Sequence, residues 1–156
     1  MFHIVLVAPE IPHNAGAAGR LALATGSRLH LVMPLGFSLD DKHVKRTGLD
    51  YWKDVDLRIW ESFAELKDAA DPAANYWFLS TKTTRAHWDA DFKDGDYLVF
   101  GCETRGLPES MVHAAGDQGI HIPMVEGGTR SLNLSTAVAI TLYEAVRQRA
   151  RAGVSD

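Results

Sequence analysis

The chain has little cysteine: Cys102 is the only one in 156 residues. That excludes an internal disulfide framework and a multi-cysteine zinc site. It also lacks any apolar run approaching the roughly 18 residues that a membrane span needs. Residues 1–7 are apolar, but they have neither the basic start nor the small-residue cleavage site of a signal peptide, so they read as a buried first strand. A surplus of positive charge is absent as well. The formal net charge is −4, which argues against a protein that grips nucleic acid by bulk electrostatics and restricts any RNA site to a local patch. What is present, 46% hydrophobic and 23% charged residues, suits one soluble globular domain over residues 1–156 with a sizeable core. The expected setting is cytoplasmic.

Apolar runs and helical spacing alternate along the chain. Runs at 3–8, 28–33, 55–60, 76–80, 97–101 and 120–124 predict strands. Helices are predicted over 13–25, stopped by Gly26, over 61–70, from Leu107-Pro108-Glu109 onward, and from Asn133 to about Arg151. Residues 35–53 read as a long loop with room for one short helix. The alternation predicts an α/β fold with a mostly parallel sheet flanked by helices.

Three glycine-bearing segments follow predicted strands, where ligands bind in open parallel sheets. The first, residues 9–20 (Pro-Glu-Ile-Pro-His-Asn-Ala-Gly-Ala-Ala-Gly-Arg), holds only Gly16-x-x-Gly19 of a dinucleotide pattern. Its small residues look like a helix surface built for close packing. Arg20, six residues after Asn14, is expected on roughly the same side of that helix; the other reading is a capping Asn14 and a surface arginine. The second, residues 100–109 (Phe-Gly-Cys-Glu-Thr-Arg-Gly-Leu-Pro-Glu), has Gly101 and Gly106 to let backbone amides approach a ligand. Glu103 either accepts hydrogen bonds from a ligand hydroxyl or amino group or stabilises the turn. Cys102, between glycine and glutamate, reads as an inert thiol rather than a nucleophile. The third, residues 122–137, passes through Gly127-Gly128 into Ser131-Leu132-Asn133-Leu134-Ser135, which exposes polar groups and free N–H donors at a helix start. An elaborate helix cap is the alternative.

Together and in this order, the three segments resemble the signature motifs of the SPOUT methyltransferase superfamily, over nearly the whole chain. The Pro9-Glu10-Ile11-Pro12-x-Asn14 start and the loop from Asp41-Lys42 to Leu49-Asp50-Tyr51 resemble the subgroup that methylates the 2′-hydroxyl of cytidine or uridine at the tRNA wobble position. The resemblance implies a deep trefoil knot near the C-terminus, bent S-adenosylmethionine bound there, and a homodimer whose substrate site is shared, with Tyr143 on the C-terminal helix a candidate interface residue. It places Leu79, Gly101, Ile122, Met124, Ser131 and Leu132 in the cofactor pocket, to which the reading of the second segment adds Glu103 and Gly106.

Methyl transfer from a sulfonium needs an aligned oxygen and no metal. In the wider family, the arginine matching Arg20 is assigned the deprotonation of the ribose hydroxyl. A guanidinium stays protonated near neutral pH, so Arg20 is better suited to hold an RNA phosphate and lower the hydroxyl pKa by its field. Asn14, Ser131 and Asn133 then orient the ribose. Phosphate contacts are expected from Lys42, Lys45 and Arg46, with His43 beside them, from Arg85, near Lys82 and His87, and from Arg105 and Arg130. Tyr51, Trp52 and Trp88 are candidates for stacking on bases, one at least belonging to the core. The rival readings are a non-catalytic RNA-binding module of the same fold, a flavodoxin-like nucleotide-binding enzyme, and the same chemistry on another tRNA position or on rRNA.

Overall fold

A computed structural model of the protein describes residues 1–40 and 51–153. The phosphate-contact candidates Lys42, Lys45 and Arg46 lie outside the described residues. The elements run β1 (His3–Val7), α1 (Pro12–Thr25), β2 (Arg28–Val32), β3 (Leu57–Trp60), α2 (Phe63–Ala69), β4 (Tyr76–Leu79), β5 (Arg85–Ala86), β6 (Tyr97–Phe100), α3 (Glu109–Ala115), β7 (Gly119–His121) and α4 (Leu134–Arg151). Short 3-10 turns occur at Trp52–Asp54, His87–Asp89 and Gly116–Gln118. The sheet order is β3-β2-β1-β6-β4-β7-β5, and every pairing is parallel.

Each predicted strand and helix is present, with ends shifted by a few residues. The strand expected at 120–124 is instead Gly119–His121, which leaves Ile122, Met124 and the residues after them free to form a loop. The two-residue β5 carries no apolar run and was not expected; it forms because Arg85 and Ala86 pair with Ile120 and His121 at the sheet edge. In the loop before β3, the described part ends in the 3-10 turn at Trp52–Asp54. Among the described residues, no helix is long and apolar enough to cross a membrane.

Alternation along the strands sends side chains to two layers. Ile4, Leu6, Leu29, Leu31, Leu98 and Phe100 pack with α1 and α4 through Ala15, Ala18, Ala22, Val138, Leu142 and Ala145. Val5, Val32, Phe78 and Val99 pack on the other face with Leu66 of α2 and Leu107. Alanine and glycine on α1 allow close approach: a Cβ on Gly19 would come within 2.8 Å of the Trp52 ring. Trp52 therefore packs against the core, while Trp88 is 56% exposed.

One polar chain crosses the second layer. The indole Nε1–H of Trp60 donates to Nδ1 of His30 at 3.0 Å. His30 must then carry its proton on Nε2, which donates to Nδ1 of His3 at 2.9 Å. Tyr97 stacks on His3 with ring centroids 4.0 Å apart. Burial, with the Arg28 charge assisting, lowers His3 to about 4; burial, then His3 and Arg28, lowers His30 to about 3. The unfolded chain thus takes up protons below about pH 6.5 that the folded protein refuses, so stability is complete above that pH and is lost as pH falls. We expect the urea midpoint to drop between pH 7.5 and pH 5, with each histidine adding at most ~1.4 kcal/mol per pH unit. An unchanged midpoint across that interval would contradict a neutral histidine pair.

Candidate active site

The strand order reverses between β1 and β6: β2 and β3 extend one way, β4, β7 and β5 the other. Loops leaving adjacent strands at such a point diverge and open a crevice beyond their carboxyl ends. Here the loops after β1 and β6 are tied across it. Ile11, the residue before α1, has no side chain that caps the helix, and Pro12 begins the first turn. Glu103, from the loop after β6, supplies the missing acceptor: Oε1 accepts the backbone N–H of Glu10 at 2.9 Å, and Oε2 accepts that of Ile11 at 2.7 Å and the amide Nδ2 of Asn14 at 3.1 Å. A carboxylate at a helix N-terminus also meets the positive end of the helix dipole. Glu10 returns the contact: its Oε1 accepts the N–H of Thr104 at 2.9 Å and the Thr104 hydroxyl at 2.7 Å. That hydroxyl, then the N–H, holds the Glu10 carboxyl below its ordinary range.

The third segment joins the same chain. Asn133 caps α4 by accepting the N–H of Thr136 on Oδ1 at 3.2 Å, and the same oxygen accepts the Ser135 hydroxyl at 2.6 Å. Its Nδ2 donates to Oδ1 of Asn14 at 3.2 Å. Asn133 is therefore a helix cap and also part of a hydrogen-bonded row through all three segments. Asn14 is buried but is not the cap of α1.

A cleft of about 760 Å³ opens beside this row, within the size range of cofactor sites. Its walls include Leu79, Gly101, Glu103, Gly106, Ile122, Met124, Ser131 and Leu132, together with Asn14, Asn133, Arg105 and Arg130. The turn after β6 is unusually tight. A Cβ on Gly101 would overlap the backbone of Gly106 and Leu107, and Gly106 itself has φ +70°, which glycine adopts without strain. The missing side chain at Gly101 makes room for the turn itself, whereas a Cβ on Gly106 would meet nothing within 4 Å, so it is at Gly106 that bare backbone can face a ligand. Cys102 lines the cleft too, with Sγ 3.8 Å from the Gly106 carbonyl oxygen.

Residues 1–143, which contain every segment of this cleft, match the family described as SpoU rRNA methylase. The chain belongs to that SpoU family. A tRNA (cytidine(34)-2′-O)-methyltransferase of a Polaromonas species is 49% identical over 98% of this chain and 94% of the relative, and one of Escherichia coli is 46% identical over 95% and 94%. Among solved structures, one described as giving insights into the 2-OH methylation of C/U34 on tRNA aligns with a TM-score of 0.89 at 47% identity, covering 97% of both chains. The SpoU methyltransferase AviRb of Streptomyces viridochromogenes, in complex with AdoMet, aligns with a TM-score of 0.80 at 28% identity, covering 96% of this chain and 60% of that one.

Arg20, nominated from the motif pattern, and Arg85, nominated from a basic cluster, stand apart from the cleft. Arg20 is exposed on α1, its guanidinium carbon 5.7 Å from the centre of the Tyr51 ring. It does not share a side of α1 with Asn14: at 100° per residue, six residues leave about 120° between them, and Asn14 is buried where Arg20 is not. Tyr51 is fixed by donating its hydroxyl to the Gly16 carbonyl at 2.9 Å, and burial raises its pKa. Arg85 lies on β5 at the edge of the sheet. Sequence reasoning missed the ion pair at the cleft rim, Lys82 Nζ to Glu109 Oε1 at 2.9 Å, which holds the Glu109 carboxyl below its ordinary range. Lys82 was visible as a basic residue, but nothing in the sequence pointed across to Glu109.

Proposed function

We propose that the chain methylates the ribose 2′-hydroxyl of the wobble nucleotide of tRNA, cytidine or uridine, with S-adenosylmethionine as donor. The observation that carries this reading is the hydrogen-bonded row Glu103–Asn14–Asn133, which gathers the three motif segments along one wall of a nucleoside-sized cleft. The relatives named for cytidine-34 methylation and the AdoMet-bound SpoU neighbour support substrate and donor. A cytoplasmic setting follows from a tRNA substrate.

Residues suited to hold the donor are Leu79, Gly101, Gly106, Ile122, Met124, Ser131 and Leu132, which bring two glycines, four apolar side chains and one hydroxyl to the cleft wall. Once bound, S-adenosylmethionine supplies an electrophilic methyl group on a positive sulfur. The chain must place the 2′-oxygen in line with that methyl and favour its loss of a proton. N–H donors on Asn14 and Asn133 and the hydroxyl of Ser131 serve the first task, and donors aimed at an oxygen that gains negative charge also serve the second. Arg20 belongs to the same reading as the phosphate-binding cation. Because it lies off the cleft of its own protomer, that role requires it to serve the cleft of a second copy, in keeping with a homodimer whose substrate site is shared. The half-exposed Tyr143 of α4 is available for that contact. The deep trefoil knot is part of the proposal too, supported by a chain that leaves β7, between β4 and β5, and returns through the residues of the cleft wall to place α4 against α1 and β6.

Incubation with labelled S-adenosylmethionine and total tRNA, followed by mass-spectrometric mapping, tests the assignment. Label on the 2′-oxygen of position 34 is expected; label only on rRNA or at another tRNA position would replace the substrate. Despite the net charge of −4, the exposed Arg105 and Arg130 at the cleft supply a local cationic patch. We expect tRNA affinity to fall steeply from about 50 to about 200 mM salt, and Arg105→Ala or Arg130→Ala each to reduce the log–log slope by about one. A slope unaffected by both variants would remove these arginines from the RNA site.

A further inference from the structure

The amide orientations along the row are determined from both ends. At one end the Thr136 backbone N–H and the Ser135 hydroxyl both meet the same atom of Asn133, at 3.2 and 2.6 Å. A backbone N–H only donates, so that atom is the carbonyl oxygen Oδ1, and Nδ2 must face Asn14. At the other end Glu103, acceptor-only when ionised, meets Asn14 at 3.1 Å, so the Asn14 atom facing it is Nδ2 and the one facing Asn133 is Oδ1. The two ends agree at the central contact, where Asn133 Nδ2 donates to Asn14 Oδ1 at 3.2 Å. Every bond in the row donates toward Glu103. It runs from the positive N-terminus of α4 to an anion, and such a chain polarises its members in one direction.

We propose that Glu103 is a positioning residue that fixes Asn14 directly and, with the α4 cap holding Asn133 from the other end, locks the row so that both amides present N–H rather than C=O to the cleft. Each amide nitrogen has a second N–H beyond the one used in the row, and both residues line the cleft. An N–H facing the nucleophilic oxygen favours its charged form, whereas a carbonyl there would oppose it. Glu103 thus holds the Asn14 end of the row in the orientation the α4 cap imposes at the other, and does so without touching substrate. The inference rests on the 2′-O-methylation reading above. It also accounts for Glu103 differently from a cofactor ligand, because three of the roughly four acceptor sites on its carboxylate already take protein donors.

The test compares Glu103→Ala with Glu103→Gln. The glutamine carbonyl can still accept from Ile11 and Asn14, so only the Glu10 N–H loses its partner. Glu103→Ala is expected to lower kcat by about 10- to 100-fold, with the affinity for S-adenosylhomocysteine, read by calorimetry, within about threefold of the parent; Glu103→Gln should retain most of kcat. In the side-chain amide region of a ¹⁵N spectrum, the Asn133 NH₂ signal should move in Glu103→Ala, although Asn133 does not touch Glu103. In an Asn14→Ala background, adding Glu103→Ala should leave that signal where Asn14→Ala alone puts it. If Glu103→Ala does not fold, Asn14→Ala retains both backbone bonds to Glu103 and must by itself lower kcat and move the Asn133 signal at unchanged S-adenosylhomocysteine affinity. Affinity that falls in step with kcat, or an Asn133 signal indifferent to these changes, would overturn the proposal. Loss of methyl transfer in the parent protein itself would instead refute the functional reading, leaving the spectroscopic result to stand separately.

Discussion

Arg20→Ala is expected to lower methyl transfer by about 100- to 1000-fold, the usual cost of removing a group that stabilises developing charge, while S-adenosylhomocysteine binds as tightly as before. The separation follows from where Arg20 sits. It is exposed on α1, over Tyr51, and is not part of the cleft wall, so the cofactor has nothing to lose from its removal. The RNA does: a guanidinium offers a planar fork of donors to a phosphate and a fixed positive field that lowers the pKa of a nearby hydroxyl. It cannot serve as a free base at neutral pH. Arg20→Lys keeps the charge and loses the fork, so turnover well below the parent's is expected from it; turnover equal to the parent's would leave the charge alone as the requirement. Single-turnover rates with labelled donor, beside calorimetry with S-adenosylhomocysteine, provide both readings. A fall in cofactor affinity matching the fall in rate would move Arg20 into the cofactor site and remove the reason for a second copy. Mixing Arg20→Ala protomers with protomers disabled in the cleft should restore activity if each arginine serves the other's cleft.

The elements were legible because buried parallel strands are continuous apolar runs and the helices between them carry small or apolar residues at turn spacing. The runs beginning at His3, Arg28, Tyr76 and Tyr97 each became a strand starting at that residue. β5 was illegible for the opposite reason: Arg85-Ala86 has no pattern of its own and exists only through its pairing with β7. The cleft residues could be named because glycine and capping chemistry mark loop and helix ends locally. The partners of Glu103 could not, since they include the backbone N–H groups of Glu10 and Ile11, which look alike at every position of a sequence, and lie across the fold. The same distance hid Glu109 from Lys82. Arg20 and Asn14 part company through helix geometry alone, with no override of local preference: six residues do not complete two turns.

The second large effect is expected at Gly101, where the tight turn leaves no room for even one methyl group. An added Cβ there overlaps backbone atoms of Gly106 and Leu107, with the Gly106 carbonyl oxygen only 2.5 Å away. Flexible side chains can yield to such a group, but these are main-chain atoms in a turn fastened by the Gly106 N–H to Cys102 carbonyl bond at 2.9 Å. The same loop carries Glu103, whose three hydrogen bonds hold the start of α1 and Asn14. Gly101→Ala must therefore shift both the cofactor-facing backbone and the anchor of the amide row. We expect at least about a hundredfold weaker S-adenosylhomocysteine binding, or ~2.7 kcal/mol, together with a lower melting temperature. Gly106→Ala is the informative contrast. Its Cβ would meet nothing within 4 Å, but φ is +70°, so the cost is the left-handed strain of one residue, about 1–2 kcal/mol, with the turn retained. Calorimetry and thermal melting on the two variants should rank Gly101→Ala far above Gly106→Ala in lost affinity. Equal losses would mean that backbone strain, and not the close stacking of the turn on itself, governs the cradle, and parent-like binding by Gly101→Ala would mean that the cofactor does not depend on that turn.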